Sequence, residues 1–328
     1  MGSLGHAPSG AQVELVIVNP LAAALQHYTA QLEKMLARAG IASTVLAVTE
    51  PSVSGGGRMQ WLQQYLRALR EARKLRKRGA RIVVTWPVLG HIDRFLVPFV
   101  TGSRQAVIVM HDPRPLVRAV GYGRGAVILA DLIAAPNSLI VHSDLAADEM
   151  PGRRDTITRL PHPLVSEVSS RALPTQPVVR VLGQWKPDRD LELLRDLASL
   201  LSGVSLEIIG RGWPPVEGWA VRDEFVPEVE LDRLLRSSTA VLIPYRRYYQ
   251  SGIAARAIEL AVPVVGGSRE LSPMTGADYP FLVPDGAAVG RWADAVQAAL
   301  ASPAGRTAEV SISAGLSASA PWREWVRS

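Results

Sequence analysis

The chain has no cysteine among its 328 residues. Disulfides, thiolate metal sites and a cysteine nucleophile are excluded, and the composition fits a reducing compartment. No run of about 18 apolar residues occurs, so no segment reads as membrane-spanning. Met1–Gln12 is small and polar without an apolar centre, which does not read as a secretory leader. No repeat with a period of about 20 to 50 residues is present, which argues against solenoids and propellers. The loop expected after the first strand, Asn19–Leu25, reads NPLAAAL. Without glycine it offers no phosphate-binding signature and supports only a Rossmann-like start.

Hydrophobic residues make up 48% and charged residues 20%, the balance of a globular protein with a sizeable core. The length allows two domains of about 150 residues each. A net charge of +6 points to an anionic partner: nucleic acid, a phosphorylated substrate or anionic lipid.

Strand and helix patterns alternate from the start. Val13–Val18, Ala42–Val48, Arg81–Thr85, Ala106–Met110 and Leu139–His142 read as strands. Leu21–Ala39, Gln60–Arg78 and Ala126–Ala135 read as helices, with a flexible break at Ser52–Gly57 and a mobile loop at Gly121–Gly125. Ser143 and Asp144 suit the N-cap of a further helix ending at Met150. The helix Gln60–Arg78 carries seven basic residues (Arg67, Arg70, Arg73, Lys74, Arg76, Lys77, Arg78) against Glu71 alone. Such a face suits an anionic membrane surface, each basic residue contributing about 1 kcal/mol, or serves as a solvated helix. No nucleic-acid reading motif accompanies it. His142 and His162, 20 residues apart with no carboxylate at ligand spacing, read as packing and loop residues rather than metal ligands.

One stretch carries most of the chemistry, Ile243–Gly266. The strand Val241–Ile243 ends at Pro244, an aromatic and basic loop containing Tyr245 follows, a helix opens near Ser251 and Gly252, and Val262–Val265 forms the next strand. In an open parallel sheet such a loop faces the ligand. The N–H groups of Gly252, Ile253 and Ala254 would face an anion, aided by roughly half a positive charge from the helix dipole. Gly252, Ala255 and Glu259 share one helix face, two small residues leaving room for a flat ligand and a carboxylate able to accept from sugar hydroxyls. An ordinary βα unit with a solvated Glu would carry the same residues.

This stretch resembles the donor-nucleotide segment of family 4 glycosyltransferases of the GT-B fold. There a Glu, seven residues and a second Glu precede a small-residue, Pro, Val, Val strand. Glu259 matches the second Glu, which in the family holds the ribose. The first, which faces the transferred sugar, falls on Ser251, preceded by Gln250. VIVMHDP is similar to the segment whose His faces the sugar, which implies a catalytic role for His111; His91 in WPVLGH is a weaker rival. GQWKPDRDLELL looks like the segment whose two cations hold the diphosphate: Arg189 falls on the Lys position and Gln184 on the Arg position, with Lys186 as substitute charge. Arg211 in GRGWP adds positive potential. Val221–Pro227 followed by Glu230–Leu235 resembles the nucleobase-reading segment, with Phe225 and Val226 at the contact positions and Glu224 in place of a usual Gly. Gly266–Ser272 would form a loop over the nucleotide.

The resemblance implies an α/β GT-B fold: two facing Rossmann-like domains with parallel sheets and a cleft between them. The first domain would span residues 1–168, the linker Ser166–Pro177, and the second domain residues 178–302. Gly286–Ala301 would close the second domain as an amphipathic helix. Ser302–Ala320 reads as loosely structured, and a last short helix, 321–328, would return Trp322 and Trp325 to the first domain. The implied activity is retaining, metal-independent transfer from a nucleotide-diphosphate sugar, the co-substrate, to a glycan, lipid-linked or small-molecule acceptor. No cofactor is expected, and the location would be cytoplasmic or peripheral on the membrane. A non-catalytic nucleotide- or partner-binding relative and a sugar-nucleotide epimerase or hydrolase are the other readings.

Overall fold

Buried apolar runs such as residues 15–18, 107–109 and 241–243 form inner strands of two parallel six-stranded sheets. Strands covered on both faces read as continuous apolar segments rather than alternating ones. The computed structural model describes residues 14–115, 119–136, 138–168 and 174–328. The residues before 14 and part of the expected linker lie outside these. The chain divides into two compact units, one running to Pro163 and including Ala318–Ser328, the other Leu164–Ser317.

In the first unit the order along the chain is β1 (Leu15–Asn19), α1 (Gln26–Arg38), β2 (Ser43–Ala47), α2 (Pro51–Ser54), α3 (Arg58–Arg76), β3 (Arg81–Val84), α4 (Asp93–Thr101), β4 (Val107–Val109), α5 (Arg124–Ile133), β5 (Leu139–Val141), α6 (Asp144–Glu149) and β6 (Ile157–Arg159). The sheet order is β2-β1-β3-β4-β5-β6. Ser143 caps α6 as expected, its Oγ accepting from the Ala146 amide at 3.1 Å. Two expectations are corrected. The break at Ser52–Gly57 contains the short α2, started by Pro51 and ended by Gly55 in the left-handed region. The loop Gly121–Gly125 is pinned, since the Gly121 carbonyl accepts from the His91 amide at 3.0 Å. A Cβ on Gly121 would lie 1.8 Å from the Leu89 carbonyl oxygen, so only glycine fits that approach.

The second unit runs β7 (Val178–Leu182), α7 (Leu191–Leu200), β8 (Ser205–Ile209), β9 (Ala220–Arg222), α8 (Glu228–Arg236), β10 (Ala240–Ile243), α9 (Gly252–Glu259), β11 (Val264–Gly267), α10 (Ser268–Thr275), β12 (Leu282–Val283), α11 (Val289–Leu300) and α12 (Ala304–Arg327). The sheet order is β12-β11-β10-β7-β8-β9. One core cluster joins Leu194 and Leu197 of α7 to Ala293 and Val296 of α11 across the sheet residues Val181 and Ile208. The loop expected at Gly266–Ser272 is instead the end of β11 and the start of α10.

The segment 302–320, expected to be loosely structured, belongs from Ala304 onward to the long helix α12. Ser and Gly have modest helix propensity, and tertiary contact overrides it here. Ser311 Oγ donates to the Glu259 carbonyl at 3.2 Å and is hydrogen-bonded with Ser166 Oγ at 2.8 Å. A Cβ on Gly315 would meet the Leu164 and Ser166 backbone at 3.4 to 3.5 Å, so the small residues permit close backbone approach. Trp322 is fully buried in the first unit, its indole N–H donating to the Pro161 carbonyl at 2.8 Å, while the Arg81 guanidinium lies 4.6 Å from the Trp325 ring centre.

Candidate functional site

In the second sheet the strand order reverses between β7 and β10. Ligands of open parallel sheets bind beyond the carboxyl ends of the strands at such a reversal. The segments leaving those two strands meet there. Arg189 and Tyr245 form an antiparallel bridge, the Asp190 amide donates to the Pro244 carbonyl at 2.8 Å, and the Arg246 amide donates to the Asp188 carbonyl at 2.8 Å. The Arg189 guanidinium lies 3.4 Å from the Tyr245 ring centre and donates to the Asp188 carboxylate at 2.9 Å. These two side chains are only 8% and 7% exposed. A stacked, paired and buried guanidinium is a clasp between the two loops as much as a source of positive potential. Burial raises the Tyr245 phenol above its ordinary range, partly offset by Arg189 and by a hydrogen bond with Ser251.

Ser251 is the N-cap of α9, and its Oγ accepts from the Ala254 amide at 3.2 Å. That bond corrects one expectation: Ala254 directs its N–H to the cap, so the anion-facing donors reduce to Gly252 and Ile253. Gly252 is exposed, with no atom within 4 Å of where a Cβ would stand. Across from it, a Cβ on Gly183 would lie 3.6 Å from Ile253 Cγ1, which places the turn after β7 beside the start of α9. Gln184 and Lys186 are exposed on that turn, and Gln250 is half-buried on the opposing loop. Arg211, after β8, is also exposed, with its carbonyl accepting from the Trp185 amide at 3.0 Å.

Three expected residues stand apart from this group. Glu259 is 1% exposed at the far end of α9, about 10 Å along the axis from Gly252 at 1.5 Å per residue. Phe225 is 73% exposed and Val226 half-buried, both in the loop after β9, which is separated from β7 by β8.

Two residues of the site were not singled out from sequence. The Tyr248 hydroxyl is buried without a hydrogen-bond partner among the described residues, and burial and Glu270 push its pKa well up. An unsatisfied buried hydroxyl calls for a partner. Glu270, at the start of α10 beyond the carboxyl end of β11, has its carboxyl pushed up to about 7 by burial and by nearby Asp285. The signal for Tyr248 was the Tyr-Tyr pair in an otherwise polar loop. Glu270 had none, because its burial depends on how α10 folds back.

In the first unit the order changes between β1 and β3. The loop after β1 has its donors fully engaged: the amide of Leu21 donates to Asn19 Oδ1 at 3.0 Å, Ala22 to the Val48 carbonyl at 3.0 Å, and Ala23 and Ala24 to the two Glu50 carboxylate oxygens at 3.1 and 2.7 Å. Glu50 is 5% exposed. This internal anion explains why helix α1 starts at Gln26 rather than at Leu21.

His111 follows β4, 8% exposed, with Nε2–H donating to the Thr85 carbonyl at 2.9 Å. Trp86 stacks on it at 5.7 Å and Tyr28 meets it edge-on at 4.7 Å, so the ring is fixed in orientation. His142 donates Nδ1–H to the Leu160 carbonyl at 2.9 Å and so accepts from the Tyr28 hydroxyl through Nε2 at 3.0 Å. Burial, helped by His162 and His111, holds its pKa well below the usual value, and burial pushes His162 down to about 3. Both are packing residues. Among the described residues no group of three or more His, Asp and Glu is placed to hold a metal ion. His91 is fully buried, pushed down to about 4 by burial and Arg94, and touches the edge of Tyr122 at 5.4 Å.

No protein-family model and no curated protein matches the chain. Solved structures do. HepE of Anabaena, determined in complex with UDP-glucose, superposes with a TM-score of 0.58 at 12% identity, over 95% of this chain and 98% of HepE. Sucrose-phosphate synthase from Thermosynechococcus elongatus gives 0.57 at 14% identity, over 95% of this chain and 94% of its own. TarM of S. aureus gives 0.54 at 14% identity over 80% of this chain, which spans 58% of TarM. At these identities the likeness establishes the fold. The chain has a two-unit Rossmann-like α/β fold of the GT-B type, as its motifs implied.

Proposed function

We propose that this protein is a retaining glycosyltransferase that takes a sugar from a nucleotide-diphosphate donor and passes it to a glycan or lipid-linked acceptor. The observation that carries the reading is the convergence of the β7 and β10 loops at the strand-order reversal of the second unit, with the capped start of α9 opening onto unfilled space. The Gly252 and Ile253 amides and the helix dipole would hold the diphosphate, with Lys186 and Arg211 adding charge and Arg189 fixing the two loops. As the nucleoside diphosphate leaves, these groups stabilise the charge developing on it. This reading needs no metal. Glu259 would orient the ribose, Phe225 and Val226 the base, and Gln250 the transferred sugar, while His111 is the catalytic candidate of the first unit. The neighbour HepE was determined with UDP and with UDP-glucose, so uridine is the first base to test. The exposed basic residues of α3 would add attraction to an anionic surface.

A second reading, a non-catalytic nucleotide-binding relative, is favoured by one observation: Asp188 already neutralises Arg189. Thermal unfolding with uridine, guanosine, adenosine and thymidine diphosphates tests both. A ligand at 100 times its dissociation constant stabilises by about 2.7 kcal/mol. Stabilisation by one of them, with hydrolysis or transfer of the matching nucleotide sugar that His111→Ala reduces at least tenfold, supports transfer. Stabilisation without turnover in either form supports the binding module, and no stabilisation by any diphosphate removes both.

A further inference from the structure

Helix α5 of the first unit is held firmly by one face and leaves an apolar face uncovered. On the inner side Ala130 is fully buried, and Asp131 pairs with the buried Arg94 at 2.8 Å. Arg94 in turn donates to Thr156 Oγ1 at 3.2 Å, which ties α5 to α4 and to the approach to β6. The opposite face is Ile128, Leu129, Leu132 and Ile133, exposed by 63%, 44%, 77% and 58%. Four adjacent large aliphatics facing water on a fixed helix mark an interaction surface rather than scattered exposure.

Charge beside this face identifies the partner. A cavity of about 580 Å³ adjoins it, lined by Pro115, Tyr122, Val127 and Ile128 together with Arg114 and Arg124. Arg114 is 62% exposed with its guanidinium 4.0 Å from the Glu149 carboxylate, and Arg124 opens the helix at the surface. From Arg104 to Asp131 the described residues include Arg104, Arg114 and Arg124 against Asp112 and Asp131, the latter paired with Arg94. The neighbouring helix α4, which packs against both α3 and α5, adds Phe99 at 81% exposure. One turn further, its end at Gly102 lies against Arg73 of basic α3, 3.6 Å from where a Cβ would stand. Aliphatic side chains flanked by Arg114 and Arg124 match the boundary between acyl chains and phosphate headgroups. A second copy of the chain is a poorer match. A two-fold contact would set the same arginines against each other in a protein already carrying a net charge of +6.

We propose that α5 docks this protein on an anionic lipid bilayer, with Ile128, Leu129, Leu132 and Ile133 entering the acyl boundary and Arg114 and Arg124 engaging headgroup phosphates. The inference is independent of the chemistry proposed for the second unit, and it goes beyond surface attraction by α3 because it requires insertion.

The absence of cysteine makes the test direct. Leu132→Cys labelled with an environment-sensitive fluorophore is mixed with phosphatidylcholine vesicles with and without phosphatidylglycerol, alongside Ser199→Cys on α7 as control. The expected result is a blue shift at position 132 only, and only with phosphatidylglycerol. In unlabelled protein, Ile128→Ser with Leu132→Ser lowers vesicle binding at least tenfold without lowering Tm, and Arg114→Ala with Arg124→Ala removes the preference for anionic lipid. Vesicle binding with no shift at position 132 would assign the contact to α3 and overturn the proposal. So would absence of binding, or a dimer that Leu132→Ser dissolves.

Discussion

Glu50 shows how a single carboxylate decides what a loop can bind. Its two oxygens occupy the Ala23 and Ala24 amides, so the first unit's strand reversal is already supplied with an anion. Glu50→Ala leaves both amides without that partner and should destabilise the protein by about 2 kcal/mol in chemical denaturation, with Glu50→Gln intermediate. Glu270 acts in the opposite sense. With its carboxyl raised to about 7, it is largely neutral below that pH and negative above it. If the second unit holds a diphosphate, affinity for nucleoside diphosphate should fall as pH rises through 7, and titration calorimetry of Glu270→Gln should show that fall abolished. Asp93 bears on stability instead, since burial lifts its carboxyl to about 7 against an ordinary 3.8. A raised carboxyl favours the folded state below its unfolded pKa and loses that contribution as pH rises through the folded one. Between about pH 4 and 7 the wild type should therefore lose stability relative to Asp93→Asn, as read by Tm.

Among the elements, α9 and the turns facing it matter most. Removing the cap with Ser251→Ala should cost about 1 kcal/mol and free the Ala254 amide toward the ligand. The turns after β7 and β8 are equally constrained: a Cβ on Gly210 would lie 2.1 Å from the Gly183 carbonyl oxygen. Gly210→Ala should cost about 2 to 3 kcal/mol and weaken diphosphate binding, checked by denaturation and calorimetry together. The strand–loop–helix–strand order around Ile243–Gly266 was legible because the apolar runs are short and uninterrupted and Ser-Gly marks a helix start. The helix over 304–327 was not, because its small residues gain their helicity from contacts with Leu164, Ser166 and Glu259, far away in sequence. The same reason hid Glu50, 27 residues from the amide of Ala23.

At the scale of the whole molecule, the chain builds two parallel sheets, each with a strand-order reversal. The sequence motifs named the fold class correctly because motif spacing follows the βα repeat, which survives at the 12–14% identities seen with solved relatives. The surroundings of each charge were less legible: Arg189, at the position the resemblance gives to a diphosphate ligand, packs against Asp188 and Tyr245. In the proposed reading, Gly252, Ile253, Lys186 and Arg211 would meet the anion at the reversal in the second sheet. Hydrogen–deuterium exchange with saturating uridine diphosphate tests that claim most directly. Slowed exchange is expected in the peptides covering 183–189 and 250–255, and none at 21–25, where Glu50 already occupies the amides. Protection centred on 21–25, or a tightly bound diphosphate that leaves 250–255 unchanged, would contradict it.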